Sequence, residues 1–189
     1  MSRPAESESR PESESRPAES TSRPAVVLVG PPGAGKTTVG SAVARLLGVE
    51  FADTDHLVEE RAGKPIPEIF FDDGEPAFRA LEREVIGSAL SSFGGVLALG
   101  GGAILDPGTR DALRPYPVVF LSVELSDAVK RVGLGAGRPL LSVNPRATLK
   151  FLMEERRPLY ASVAAHTVAT DGRAPEEIAA EVAKLVRVS

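Results

Sequence analysis

The 189-residue chain contains no cysteine. That excludes disulfides, thiolate metal sites and a cysteine nucleophile, and it leans towards a reducing compartment. Aromatic residues make up only 5%, so a core must be built mainly from Val, Leu and Ala. There is no excess of positive charge: the formal net charge of -4 argues against a general affinity for nucleic acid or anionic membrane. No run approaches the roughly 20 apolar residues of a membrane span, and the polar N-terminus lacks the apolar centre of a secretory signal. A cytoplasmic protein without nucleic-acid or membrane partners is expected. The length suffices for one α/β domain with a sizeable core.

Residues 1–24, MSRPAESESRPESESRPAESTSRP, form an irregular repeat without a large apolar residue after Met1. Such a segment cannot offset its own ordering entropy. It is expected to be a disordered tail, the alternative being a docking segment that folds on a partner. Residues 25–189 form the expected domain.

From residue 25 the pattern changes. Residues 25–29 are apolar and β-branched, as a central parallel strand requires. The spacing predicts helices over 36–47, 54–62, 75–91, 126–132, 147–162 and 175–186, and further strands over 49–52, 96–99, 118–123 and 167–169. Strands alternating with helices imply crossover units, hence a parallel sheet of about five strands with helices on both faces.

Gly30-Pro31-Pro32-Gly33-Ala34-Gly35-Lys36-Thr37 satisfies G-x-x-x-x-G-K-[ST] between a strand and a helix. The glycines let backbone N–H groups wrap an anion, and the helix N-terminus adds partial positive charge. Lys36 can reach the β- and γ-phosphates of a nucleoside triphosphate, and Thr37 can offer its hydroxyl to Mg²⁺. This loop alone fits a small-molecule kinase, a nucleotide kinase, a GTPase switch or an ATPase motor. The lack of an N-K-x-D guanine motif weakens the GTPase reading.

Other residues suggest a second site at the carboxyl ends of the strands, where ligands of open parallel sheets collect. Asp53 and Asp55 share a side if the backbone is extended. One can complete a Mg²⁺ shell and the other can take or orient a hydroxyl proton, although either can instead cap a helix. Arg79 and Glu82 are helix neighbours, so Arg79 can grip a carboxylate while Glu82 orients it; a surface salt bridge is the alternative. Gly100, Gly101 and Gly102 invite close approach by a ligand, or make a flexible turn. Arg138 sits in a Gly-rich segment that reads as a lid, and Arg156 lies on a helix.

Taken in order, GPPGAGKTTVG, FADTDHLVEERAGKPIPEIFFDDGEPAFRALE, LALGGGAI, GRPLL and RRPLY resemble shikimate kinase, over residues 25 to about 187. The resemblance implies a three-layer α/β/α P-loop kinase of the nucleoside monophosphate kinase type. Its five parallel strands are ordered 2-3-1-4-5, with a helical substrate-binding region at about 54–82 and a lid at about 133–146. It implies transfer of the ATP γ-phosphoryl to the 3-hydroxyl of shikimate, on the route to chorismate, by a monomer using Mg²⁺.

By the same resemblance, residues 33–38 (Gly33, Ala34, Gly35, Lys36, Thr37 and Thr38) hold the nucleotide phosphates, and Thr37 and Asp53 hold the metal. Asp55 holds the shikimate hydroxyls and is the base. Arg79 and Arg156 grip the carboxylate, and Gly100, Gly101 and Gly102 approach the ring. Arg131 stacks on adenine, and Arg138 closes on the phosphates beside Lys36. Because Arg156 and Arg157 are adjacent, which of them points inward stays open. Rival readings are gluconate kinase, a nucleotide kinase, or a catalytically silent ATP-binding regulator.

Overall fold

The computed structural model describes residues 22–133 and 144–188. Strands β1 (Val26–Val29), β2 (Phe51–Asp53), β3 (Val96–Ala98), β4 (Val118–Ser122) and β5 (His166–Ala169) form one sheet. Its order is β2-β3-β1-β4-β5, and every pairing is parallel. β1 is central and buried on both faces, which its unbroken VVLV run permits.

The two faces carry separate cores. Val26 and Leu28 face α1 (Lys36–Leu47) and α8 (Pro175–Val188), meeting Val39, Val43, Ile178 and Val182. Val27 and Val29 face the other way, towards Ile86 and Leu90 of α4 (Glu75–Ser92), Leu113 of α5 (Pro107–Leu113), and Tyr160 of α7 (Pro145–Val163). The alternation follows from the two-residue side-chain period of a strand. A third, small cluster of Val58, Ile69, Phe78 and Val85 ties α2 (Thr54–Ala62), α3 (Ile66–Asp73) and α4 into a projecting helical lobe. The last helix of the set, α6 (Leu125–Val132), follows β4.

Two helices were not expected from the residue spacing, although α3 falls within the helical region at about 54–82 that the resemblance implies. α3 is only eight residues long, begins after Pro65 and carries Pro67 in its first turn; proline is tolerated there because that N–H has no helical partner. Its anchors are tertiary. Ile69 is 2% exposed, the Ile66 N–H donates to Glu59 Oε1 at 3.0 Å, and Lys64 pairs with both Asp72 and Asp73. α5 starts at Asp106-Pro107, with the Thr109 N–H donating to Asp106 Oδ1 at 2.8 Å.

The other boundaries shift by one or two residues. At the N-terminus, Ser22–Pro24 were expected with the tail. Instead Pro24 is buried, Arg23 Nη2 donates to the Pro115 carbonyl at 3.0 Å, and the guanidinium lies 5.0 Å from the Tyr116 ring centre. Residues 1–21 of the expected tail and residues 134–143 of the expected lid, Arg138 included, lie outside the described residues. Among the described residues no helix is long and apolar enough to cross a membrane.

Candidate active site

The loop between β1 and α1 closes at Gly35, which caps α1 in the left-handed region at φ 84° with no side-chain cap. A residue without Cβ adopts that conformation readily, and the first-turn N–H groups of α1 stay available to an anion. Lys36 folds back over the loop, donating from Nζ to the carbonyls of Gly30 at 2.7 Å and Pro31 at 3.1 Å. A cleft of about 290 Å³ lies over Gly33, Gly35, Lys36, Thr37 and Thr38. Ala34 is buried beneath the loop.

Arg131 of α6 approaches the same loop. Nη1 donates to the carbonyl of Gly33 at 3.2 Å and to Thr170 Oγ1 at 2.9 Å, and Nη2 donates to the Thr170 carbonyl at 2.8 Å. The guanidinium edge is thus held by backbone and hydroxyl acceptors at the border of the cleft.

The two acids after β2 are placed by a strand-to-helix turn, not by the extended alternation expected for them. Asp53 ends β2 and caps α2: its Oδ1 accepts from the Asp55 N–H at 2.9 Å, while its Oδ2 accepts from Thr37 Oγ1 at 3.1 Å. One carboxylate therefore serves as helix cap and as partner of the loop hydroxyl. Thr54 between them is fully buried, and its Oγ1 accepts from the Gly100 N–H at 3.0 Å. Asp55 points into the cleft.

A larger cleft of about 790 Å³ opens between the helical lobe and the sheet. Arg79 and Glu82 of α4 face it, with Arg79 Nη1 donating to Glu82 Oε1 at 2.8 Å. Glu82 is 3% exposed, so this is not the surface pair that the bare spacing also allowed. Burial raises the Glu82 pKa above the ordinary glutamate value, and the Arg79 charge opposes that rise.

Arg156 enters from α7 and is 5% exposed, whereas Arg157 stands outward beside Glu124 at 3.5 Å. The side chain that points inward is Arg156. Its buried Nε has no hydrogen-bond partner among the described residues, and the residue lines the larger cleft.

The glycine run forms the floor. A Cβ on Gly100 would collide with the Asp55 carboxylate, one on Gly102 with the Arg79 guanidinium, and one on Gly101 would lie 3.2 Å from Pro32 Cδ. The site's own side chains thus approach this backbone closely. Pro32, Thr37, Asp53, Asp55, Gly100 and Gly101 line both clefts, so the phosphate cradle and the larger cleft meet at one shared wall.

A family model described as Shikimate kinase matches residues 32–187. A shikimate kinase of Salinispora arenicola is 68% identical over 86% of this chain and 98% of its own length. The chain belongs to the shikimate kinase family. A solved shikimate kinase from Acinetobacter baumannii, in complex with shikimate, is 40% identical; it superposes with a TM-score of 0.84, over 89% of this chain and 94% of that one. A gluconokinase from Sinorhizobium meliloti, 23% identical with a TM-score of 0.53, covers 89% of this chain and 93% of its own and shares the fold.

Within this member of the family, two residues at the site were not singled out as site residues from the sequence. Thr54 holds the Gly100 N–H, and Tyr160 donates to the Gly101 carbonyl at 2.5 Å. A cue for Tyr160 existed, since it lies four residues after Arg156 and so on the same helical face. His56 lines the larger cleft but is exposed and lies 3.4 Å from Glu60. His166 begins β5.

Proposed function

We propose that this chain phosphorylates shikimate with ATP, transferring the γ-phosphoryl to the 3-hydroxyl, as a cytoplasmic monomer on the route to chorismate. The observation that carries the acceptor assignment is the inward, buried Arg156 lining one cleft with Arg79 and Asp55. A ligand with one carboxylate and several hydroxyls matches that set.

Each residue's part follows from its placement. The loop N–H groups and Lys36 take the β- and γ-phosphates, Lys36 exchanging its bonds to Gly30 and Pro31 for phosphate oxygens. Arg131, held by Gly33 and Thr170, borders the nucleotide, and stacking on adenine is its proposed role. Arg79 and Arg156 take the substrate carboxylate, preferably through paired N–H donors. Asp55, against Gly100, accepts the hydroxyl proton and aligns that oxygen across the shared wall. Arg138 is assigned to phosphate closure by the resemblance alone.

The donors present fit Mg²⁺. Thr37 and Asp53 offer hard oxygen ligands 3.1 Å apart beside the cradle. Among the described residues there is no group of three or more His, Cys, Asp or Glu able to cage a metal, and Mg²⁺ normally needs only one or two protein oxygens alongside phosphates and water. When bound, it neutralises charge on the β- and γ-phosphate oxygens. The experiment is a coupled assay of ADP release with shikimate, gluconate and nucleoside monophosphates as acceptors. Turnover is expected with shikimate, and its absence there would overturn the proposal.

A further inference from the structure

The larger cleft is gripped from two sides, by Arg79 on α4 and Arg156 on α7. One link between α7 and the floor of the cleft is a buried phenol. Tyr160 is 1% exposed, with its ring stacked on Phe120 at 5.2 Å between centres. Packing alone would be satisfied by phenylalanine. A buried hydroxyl costs free energy unless it is bonded, and this one donates to the Gly101 carbonyl at 2.5 Å.

Burial pushes the phenol pKa up to about 12, against the opposing charge of the nearby Arg156 guanidinium. The phenol is therefore a permanent donor at working pH. It is also a junction, because its oxygen bonds the Gly101 peptide while its helix carries Arg156 one turn earlier. Gly101 in turn abuts Pro32 of the phosphate loop, and the next residue, Gly102, lies against the Arg79 guanidinium.

We propose that Tyr160 is a positioning residue for the acceptor: its hydroxyl ties the Gly101 peptide to the helix that carries Arg156, so that the two arginines close on one carboxylate. The inference rests on the assignment of this cleft to shikimate. It separates the phenol's work from that of its ring. The ring belongs to the core, whereas the hydroxyl sets the acceptor site. The phosphate cradle has its own anchors in Lys36, Thr37 and Asp53, so nucleotide binding does not depend on the phenol.

The test uses Tyr160→Phe in the full chain, with Phe120→Leu as a packing comparison. Shikimate affinity is measured by calorimetry without nucleotide, and KM is measured for both substrates. Loss of one buried hydrogen bond is expected to weaken shikimate about tenfold in Y160F, with ATP changed less than twofold. F120L should lower the melting temperature and leave shikimate affinity in place. Unchanged shikimate affinity in Y160F, equal weakening of both substrates, or equal weakening of shikimate in F120L would each overturn the inference.

A second measurement needs no substitution. The chain has two tyrosines, Tyr116 and Tyr160, so incorporation of 3-fluorotyrosine gives two fluorine signals. Shikimate alone should move the Tyr160 signal and leave Tyr116 in place; no movement overturns the inference even if Y160F cannot be purified. A parent enzyme that binds no shikimate overturns the substrate assignment and the inference together. A parent that binds it, beside an unaffected Y160F, overturns the inference alone.

Discussion

Glu82 accepts a hydrogen bond from Arg79 at 2.8 Å while remaining only 3% exposed, so a buried carboxylate orients the cation that faces the substrate. Burial outweighs Arg79 and raises its pKa from the ordinary 4.5. For an acid raised on folding, the native state binds the extra proton, and the resulting stability is lost as pH rises from 4.5 through the folded value. Glu82→Gln removes this titration. Urea unfolding from pH 4 to 7 is expected to show the parent losing ground to E82Q as pH rises, and the opposite trend would mean that Arg79 outweighs burial.

Arg156→Ala should raise KM for shikimate by roughly two orders of magnitude, as expected for truncating one partner of a buried charge pair, with little change in KM for ATP. Arg157→Ala should alter neither by more than about twofold, since an exposed ion pair contributes at most about 1 kcal/mol. Steady-state kinetics with each substrate varied in turn decides between them. A larger effect from Arg157 would reverse the assignment.

Asp55→Ala should retain the fold and nucleotide binding but lose turnover by about a hundredfold or more, within the range of a lost general base. Activity near that of the parent, with circular dichroism unchanged, would remove Asp55 from the chemistry.

Asp53 joins two tasks that substitutions can separate. Asp53→Ala removes the α2 cap at a cost of about 1 kcal/mol and also the partner of Thr37. Asp53→Asn keeps an acceptor oxygen for the Asp55 N–H, so its melting temperature should stay near the parent's while the Mg²⁺ concentration for half-maximal rate rises. Equal Mg²⁺ dependence in D53N and the parent would confine Asp53 to capping.

Asp106 caps α5 and lies 3.0 Å from Arg83 of α4. The backbone N–H of Thr109 holds its carboxyl below the usual 3.8, so its contribution is present above that value and fades as pH falls further. Asp106→Ala should destabilise by about 1 kcal/mol at pH 7 without changing KM for either substrate, as read from urea unfolding and kinetics.

Long segments with unbroken patterns were readable because one rule governs each. The apolar VVLV of β1 and the 3.6-residue spacing along α1, α4 and α7 match the structure within one or two residues. α3 was not readable, because Pro65, Pro67 and the Asp-Asp-Gly end look like turn chemistry, and its stability comes from Ile69 packing on residues of α2 and α4. α5 was legible in principle, since Asp106-Pro107 is a cap followed by a first-turn proline. The phosphate loop announced its own chemistry. Thr54 and Tyr160 did not: a threonine and a tyrosine hydroxyl acquire a role only when folding brings them to glycines 46 and 59 positions away. The inward choice of Arg156 over Arg157 is likewise set by the rotation of α7, which neighbouring letters do not reveal.

The floor at Gly100, Gly101 and Gly102 has a consequence for how this enzyme can change over generations. Each position is crowded by a different neighbour: the Asp55 carboxylate, Pro32 with the Tyr160 hydroxyl, and the Arg79 guanidinium. A methyl group at each would press on a different one of these neighbours. Random drift that relaxes one neighbour leaves the other two barriers standing, and each barrier is itself a working part. A lineage that abandoned this acceptor for another would have to rebuild the acid, the tyrosine contact and the arginine separately, which makes the floor the slowest part of the site to repurpose.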